Sequence, residues 1–138
     1  MTREEILSLL NSVEYCFLAT VEDGEPRVRG MALYRADEQG ILFHSGEGKD
    51  MVLQLREHPS AEICAFDPQS GTQVRVRGTV EFLDDQALKE EMVATRPYLK
   101  QIVDIIGYDK LAVFRVKDCV ASVWTMGTNL EPTTWTNL

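Results

Sequence analysis

Apolar positions change their period several times along this chain, and the changes mark its elements. Between Thr2 and Asn11, Ile6, Leu7 and Leu10 form one stripe at helical spacing, opened by a Thr2/Glu5 capping box. The period then shortens to two. Tyr15–Val21 is a β-rich run closed by the turn Glu22-Asp23-Gly24. Pro26–Arg35 follows as a second strand, in which Val28, Gly30, Ala32 and Tyr34 alternate with Arg27, Arg29, Met31 and Leu33. One face of that strand is therefore basic near its start. Residues 36–40 turn the chain, and Ile41–His44 runs back as a third strand. Ser45-Gly46-Glu47-Gly48 reads as a polar loop. Lys49–Glu57 reads as a helix with Met51, Val52 and Leu55 inward, stopped by His58-Pro59.

The second half repeats the logic. Ala61–Phe66 is a strand, and Asp67 to Gly71 has turn chemistry. Gln73–Phe82 is the clearest strand: Val74, Val76, Val80 and Phe82 share one face, with Gln73, Arg75, Arg77, Thr79 and Glu81 on the other. Asp84–Arg96 is helical with Asp84 or Asp85 as N-cap, and Pro97 ends it. A short irregular or helical piece reaches Gly107. Leu111–Lys117 and Val120–Met126 read as a last hairpin around Asp118-Cys119. The pattern predicts six or seven mostly antiparallel strands with three inserted helices, a mainly β barrel or sandwich. Residues 1–138 form a single domain in this reading, and residues 128–138 a tail that is loosely ordered or docked on a partner.

Composition narrows the classes. The 138 residues are 44% hydrophobic and 26% charged, ordinary for one globular domain, and no apolar run approaches membrane-helix length. The opening Met-Thr-Arg-Glu-Glu has no apolar stretch behind its arginine, so no secretory signal is expected. A net charge of −8 argues against nucleic acid as a partner. Cys16, Cys64 and Cys119 are odd in number and widely spaced, which suits reduced thiols in a cytosolic protein.

Four features could carry chemistry. Ser45-Gly-Glu-Gly-Lys49, between a strand and a helix, offers backbone N–H groups, a hydroxyl and an ammonium to a phosphate; a glycine-rich turn with a solvated lysine is the competing reading. Arg27 and Arg29 place two like charges on one strand face, which suits an anion opposite; pairing with the many acidic surface residues is the competing reading, favoured when the pair is taken alone. Gln73, Arg75 and Arg77 line a strand face that is ordinarily solvated. Trp124 is either core, interface or a wall beside a planar cofactor. His44 and His58 stand alone, so no metal site is expected, and no P-loop, nucleophile elbow or dinucleotide fingerprint is present.

These features fall in a recognisable order. Phe17-Leu-Ala-Thr20, Asp23-Gly-Glu-Pro26 and Arg29-Gly-Met31 resemble the opening of the pyridoxamine 5′-phosphate oxidase-like family, in particular its short general-stress-protein branch. Ile41-Leu-Phe-His-Ser45 with Lys49 and His58-Pro59 resembles the family's phosphate strand and helix. Gln73-Val-Arg-Val-Arg-Gly78 and Val123-Trp124 resemble its later strands. The resemblance spans roughly residues 1–127. It implies an antiparallel Greek-key split barrel that binds FMN in the groove of a homodimer. It implies that Arg29 contacts the FMN phosphate, that Gly30, Met31 and Ala32 lie along the ring edge, and that His44, Ser45 and Lys49 hold the phosphate and ribityl chain. Gln73 and Trp124 would reach across from the second subunit.

The chain also departs from the family pattern. The oxidases carry an Arg-Leu-x-x-Arg type segment after the closing-strand Trp. Here Arg115 and Lys117 are the last cations, and Asp50 and Met51 stand where larger oxidases have further basic residues. The expected function is accordingly a flavin-dependent oxidoreductase or reductase on a small acceptor, with NAD(P)H as a candidate donor and no side chain marked as catalytic. Pyridoxamine-phosphate oxidation itself is not expected. A flavin or haem carrier, with His44 as axial ligand, and a cofactor-free barrel that binds partners are the alternatives. No membrane partner is expected.

Overall fold

The computed structural model describes residues 1–138. Helix α1 (Arg3–Ser12) starts where the capping box predicts: Glu5 N–H donates to Thr2 Oγ1 at 3.2 Å, and Thr2 N–H to Glu5 Oε2 at 2.6 Å. It buries Ile6, Leu9 and Leu10. Strands β1 (Cys16–Glu22) and β2 (Glu25–Met31) join through Asp23-Gly24, whose φ values of +51° and +77° suit a two-residue hairpin turn.

Strand β2 stops at Met31, short of the expected Arg35. Met31 is already opposite Cys16, the first residue of β1, so residues beyond it have no partner there. The chain crosses instead to form β3 (Arg35–Asp37), which pairs with β4 (Gly40–Gly46). Ser45 and Gly46, expected in a loop, are strand residues because β7 (Leu111–Trp124) supplies partners in Ala112 and Leu111. Helix α2 (Asp50–Glu57), strands β5 (Ser60–Asp67) and β6 (Thr72–Phe82) and helix α3 (Gln86–Thr95) follow near their expected bounds. Asp85 caps α3, accepting from Leu88 N–H at 3.0 Å. Pro97 opens a further full helix, α4 (Pro97–Ile106), where its missing N–H costs nothing.

The expected last hairpin does not exist. Strand β7 runs unbroken for 14 residues. Its register against β6 passes from Val120/Arg77 to Lys117/Thr79, so Asp118 and Cys119 together face Gly78. Asp118, at φ +52°, bends the strand as a bulge and does not reverse it. The close approach requires glycine opposite: a Cβ on Gly78 would lie 2.4 Å from the Lys117 carbonyl oxygen.

All pairings are antiparallel, in the order β2-β1-β5-β6-β7-β4-β3. The sheet coils so that residues of β1 and β3–β7 meet inside as one core, closed by α1 and α2. Leu18, Phe43, Ile63, Val76 and Phe114 lie at its centre. Each such side chain contributes about 1.5–3 kcal/mol by burial. A smaller cluster of Leu42, Met92, Leu99, Val103, Leu111 and Val113 fastens α3 and α4 to the outside of β4 and β7. This is an antiparallel split barrel with eight strands and four helices. The C-terminal residues dock in cis: β8 (Thr136–Asn137) pairs with Ala121 and Val120, so the tail is not left loose. No helix is long and apolar enough to cross a membrane.

Candidate functional site

Because β2 and β3 end the strand order, and β4 above Leu42 pairs only with β7, the barrel has a seam with unpaired strand edges. A groove of about 340 Å³ opens there. Gly30, Met31 and Ala32 form one wall from the end of β2. His44 and Ser45 come from the free half of β4, and Lys49 stands at the start of α2. Tyr98, Ile102 and Ile106 of α4 supply an apolar wall that the sequence pattern did not reveal, since the segment before Gly107 was left open between irregular and helical.

The cationic end is built around α2. Lys49 is its N-cap residue, and no side chain caps the first turn, so the N–H groups of that turn are open to an acceptor. Glu47 is engaged by Arg56, while Asp50, the residue after Lys49, places a carboxylate in the same first turn. Arg29 does not line the groove. Its Nη1 donates to Thr20 Oγ1 at 2.7 Å and to the Leu18 carbonyl at 3.2 Å, and its Nη2 to Gln54 Oε1 at 2.7 Å. Burial lowers its pKa, partly offset by the Asp50 carboxylate on the residue after Lys49. Gln54 is the organiser: buried on the inward face of α2, it also accepts from Thr20 Oγ1 at 2.6 Å and donates to Glu22 Oε2 at 3.0 Å. Its signal in the sequence was an amide three residues after Met51, on a face otherwise apolar.

His44 meets a second residue that sequence reasoning missed. Arg96, between α3 and α4, donates from Nη1 to His44 Nε2 at 2.7 Å and from Nη2 to the Leu33 carbonyl at 2.6 Å. A guanidinium cannot accept, so His44 Nε2 is the acceptor and the ring proton sits on Nδ1. Burial, with the Arg96 and Lys49 charges, pushes the His44 pKa down to about 4. The ring is neutral and faces a ligand as a donor at most. The Cys16 and Cys119 thiols, pushed up to about 12 and about 11 chiefly by burial, are not nucleophiles.

Gln73 and Trp124 lie elsewhere. They are directly paired between β6 and β7 and line a second cleft of about 430 Å³, walled on the far side by residues 131–134 of the tail. Trp124 Nε1 donates to Asn129 Oδ1 at 3.0 Å. The expected site residues thus fall into the seam groove, the Arg29 network under α2, and this second cleft.

The structure thus shows an open seam in an antiparallel split barrel, with a lysine at a helix start and apolar side chains along the groove. Residues 2–118 match the pyridoxamine 5′-phosphate oxidase family, and the chain belongs to that family. It is 30% identical over 99 residues to the pyridoxine/pyridoxamine 5′-phosphate oxidase of Haemophilus ducreyi, covering 72% of this chain and 47% of the relative. The chain spans about half the length of that relative. Among solved structures it superposes on a NimC/NimA family protein from Clostridium acetobutylicum with a TM-score of 0.79, at 21% identity over 98% of this chain and 92% of the other. It superposes on general stress protein 26 of Bacillus anthracis with a TM-score of 0.75, at 13% identity over 98% and 97% of the two chains.

Proposed function

We propose that this chain is an FMN-binding protein that works as a homodimeric flavin-dependent oxidoreductase on a small acceptor, with NAD(P)H as the electron donor. The observation that carries the reading is the seam groove, where Lys49 and the open first turn of α2 stand at one end of an otherwise apolar trough. A phosphate monoester suits that end, because a charge-assisted donor and helix N–H groups are both available to it. The free edge at Gly30–Ala32 suits a ring with hydrogen-bonding nitrogen and oxygen atoms, and Met31, Tyr98 and Ile102 would keep water from its faces.

When bound, FMN supplies the redox chemistry. Lys49 binds the phosphate, Ser45 adds a hydroxyl, and Arg29, held by Gln54, contributes positive potential beneath α2. His44 can donate from Nδ1 alone. That disfavours the haem-carrier reading, in which an axial histidine offers an unprotonated nitrogen, since Nε2 is already held by Arg96. Oxidation of a phosphorylated pyridoxamine is not proposed, because the tail beyond Lys117 carries no cation.

The dimer is supported by the outer face of β1, β2 and β5. Phe17, Val28 and Phe66 are 59%, 69% and 49% exposed there. Phe17 stands opposite Gly30 and Cys64, so the exposed apolar side chains share one patch. A second copy on this face in an isologous contact would bring its Gln73 and Trp124 toward the groove. The three unpaired thiols suit the cytosolic setting that belongs to this reading.

The test is reconstitution. Purified protein incubated with FMN and desalted should retain one flavin per chain, absorbing near ~450 nm as flavins do, and oxidise NADH or NADPH with an added acceptor. Protein that releases all flavin on desalting would overturn the reading. Retention without turnover would reassign it as a flavin carrier.

A further inference from the structure

A further cavity of about 430 Å³ opens between the end of β6, the start of β7 and helices α2 and α3. It shares only Leu111 with the seam groove. Lys89 of α3 lines it and is 7% exposed. The Lys89 Nζ donates to the Tyr108 carbonyl at 2.9 Å and pairs with no carboxylate. An ammonium has three N–H donors, so this buried cation keeps donors that no protein group meets. A charge buried in that way is costly unless something pairs with it. Asp84 and Asp109 line the same cavity, are exposed, and form no ion pair either. The charges that do pair there are Arg56 and Glu47, at 2.5 Å, with the Arg56 guanidinium carbon 4.0 Å from the Phe82 ring centroid. The cavity thus presents one deep cation and two acids at its rim, which share a space without neutralising one another.

We propose that this cavity binds a small zwitterion with an apolar body, the class of the apolar α-amino acids: Lys89 takes the carboxylate, and Asp84 and Asp109 take the ammonium. The charges select that class. A plain anion must pass two acids at the rim, and a plain cation meets a buried ammonium inside. A molecule carrying both charges gains charge-assisted hydrogen bonds at both ends. Its body rests on the apolar lining supplied by Leu83 and the first residues of β7. The Arg56–Glu47 pair is satisfied within itself and closes one side without demanding a ligand group. The bond to the Tyr108 carbonyl fixes the Lys89 ammonium, so little side-chain freedom is left to lose on binding. This site lies outside the flavin groove and does not rest on the flavin reading.

The test is calorimetric titration of the full-length protein with L-phenylalanine, 3-phenylpropionate and 2-phenylethylamine. The last two each lack one of the two charges. L-phenylalanine should bind saturably, and each of the others at least about tenfold more weakly, as expected when one charge-assisted hydrogen bond is lost. K89M, which keeps an unbranched apolar stem, should lose at least about tenfold in affinity for L-phenylalanine and bind 2-phenylethylamine no worse than wild type. D84N combined with D109N should weaken L-phenylalanine and tighten 3-phenylpropionate, because the rim no longer repels an anion. If K89M does not fold, judged by circular dichroism, the double variant carries the test alone, since it changes only exposed positions. No saturable binding of L-phenylalanine at millimolar concentration overturns the proposal. So do equal affinities for the three compounds, or affinities that the folded variants leave unmoved. The titrations are run with and without added FMN, so a protein that fails to retain flavin would overturn the flavin reading and leave this measurement intact.

Discussion

Arg96 holds the imidazole of His44 through a 2.7 Å contact between Nη1 and Nε2, and the same guanidinium grips the Leu33 carbonyl at 2.6 Å. One side chain thus ties the α3–α4 junction to β4 and to the segment after β2, the elements that wall the groove. It also decides which nitrogen of His44 carries the proton. R96Q should raise the His44 pKa above about 4 but leave it below the ordinary value, because burial is the largest cause and remains. Imidazole titration followed by NMR would check this; an unmoved His44 would mean the contact carries no electrostatic weight.

The depressed His44 pKa has a consequence for stability. The unfolded chain binds a proton on this histidine near pH ~6.5, the folded chain only near about 4. Stability supplied by the neutral ring is therefore complete above the unfolded value and is lost as pH falls through that window. Urea midpoints of wild type should decline over this range, and H44Q should flatten that part of the profile. An identical slope in both proteins would assign the decline to other groups.

Flavin retention should depend on the cations around α2. K49A removes the cation that lines the groove and should weaken FMN binding by roughly 1.5–3 kcal/mol, the range for a charge-assisted hydrogen bond. R29A combined with K49A should abolish retention on desalting. If the double variant holds flavin as wild type does, the phosphate end lies elsewhere.

Gln54 is expected to act on both stability and binding. Q54L removes the acceptor of Arg29 Nη2 and of Thr20 Oγ1, and the donor to Glu22. Leaving the buried Thr20 hydroxyl without its acceptor, and Arg29 and Glu22 each short of one partner, should cost about 1–3 kcal/mol in denaturant unfolding. FMN affinity should fall as well if Arg29 no longer stays under α2. Loss of stability with unchanged FMN affinity would make the network purely structural.

The apolar outer face gives a separate test of assembly. F17D places a charge in the patch shared with Val28 and Phe66 while leaving the barrel interior untouched. Light scattering should show dimer for wild type and monomer for F17D. A wild-type monomer at micromolar concentration would remove the partner from the flavin site.

Gly78 tests the bulge that replaced the expected hairpin. G78A pushes a methyl against the Lys117 carbonyl oxygen and should destabilise the fold by about 1–3 kcal/mol or more. Full stability in G78A would mean that β7 can shift its register at little cost.

Local patterns settled most of the elements. The Thr2/Glu5 box, the Asp23-Gly24 turn, the alternation of Val74, Val76 and Val80 and the Pro97 boundary each depend on residues close in sequence, so they were legible without tertiary knowledge. The same holds for the clustering of His44, Ser45 and Lys49, which one strand-to-helix passage places together. What failed were features set by distant partners. Strand β2 stops because β1 begins at Cys16. Ser45 is strand because Ala112 lies opposite, and Asp118 bends the chain because Gly78 lets β6 come close. A one-dimensional pattern cannot show which strand supplies the missing hydrogen bonds.

The chain's own residue order determined the class of barrel, the charge balance and the residues that line one wall of the groove. Only the tertiary structure decided that Arg96 and Gln54, far from their partners in sequence, set the state of His44 and the direction of Arg29. It also decided that Trp135 lies on Arg75 and Arg77, so that the tail is part of the sheet. The reason is physical: helix stripes and strand alternation encode which face of a segment is buried. The pairing of two polar groups across the fold appears only once the whole core has brought them within hydrogen-bonding distance.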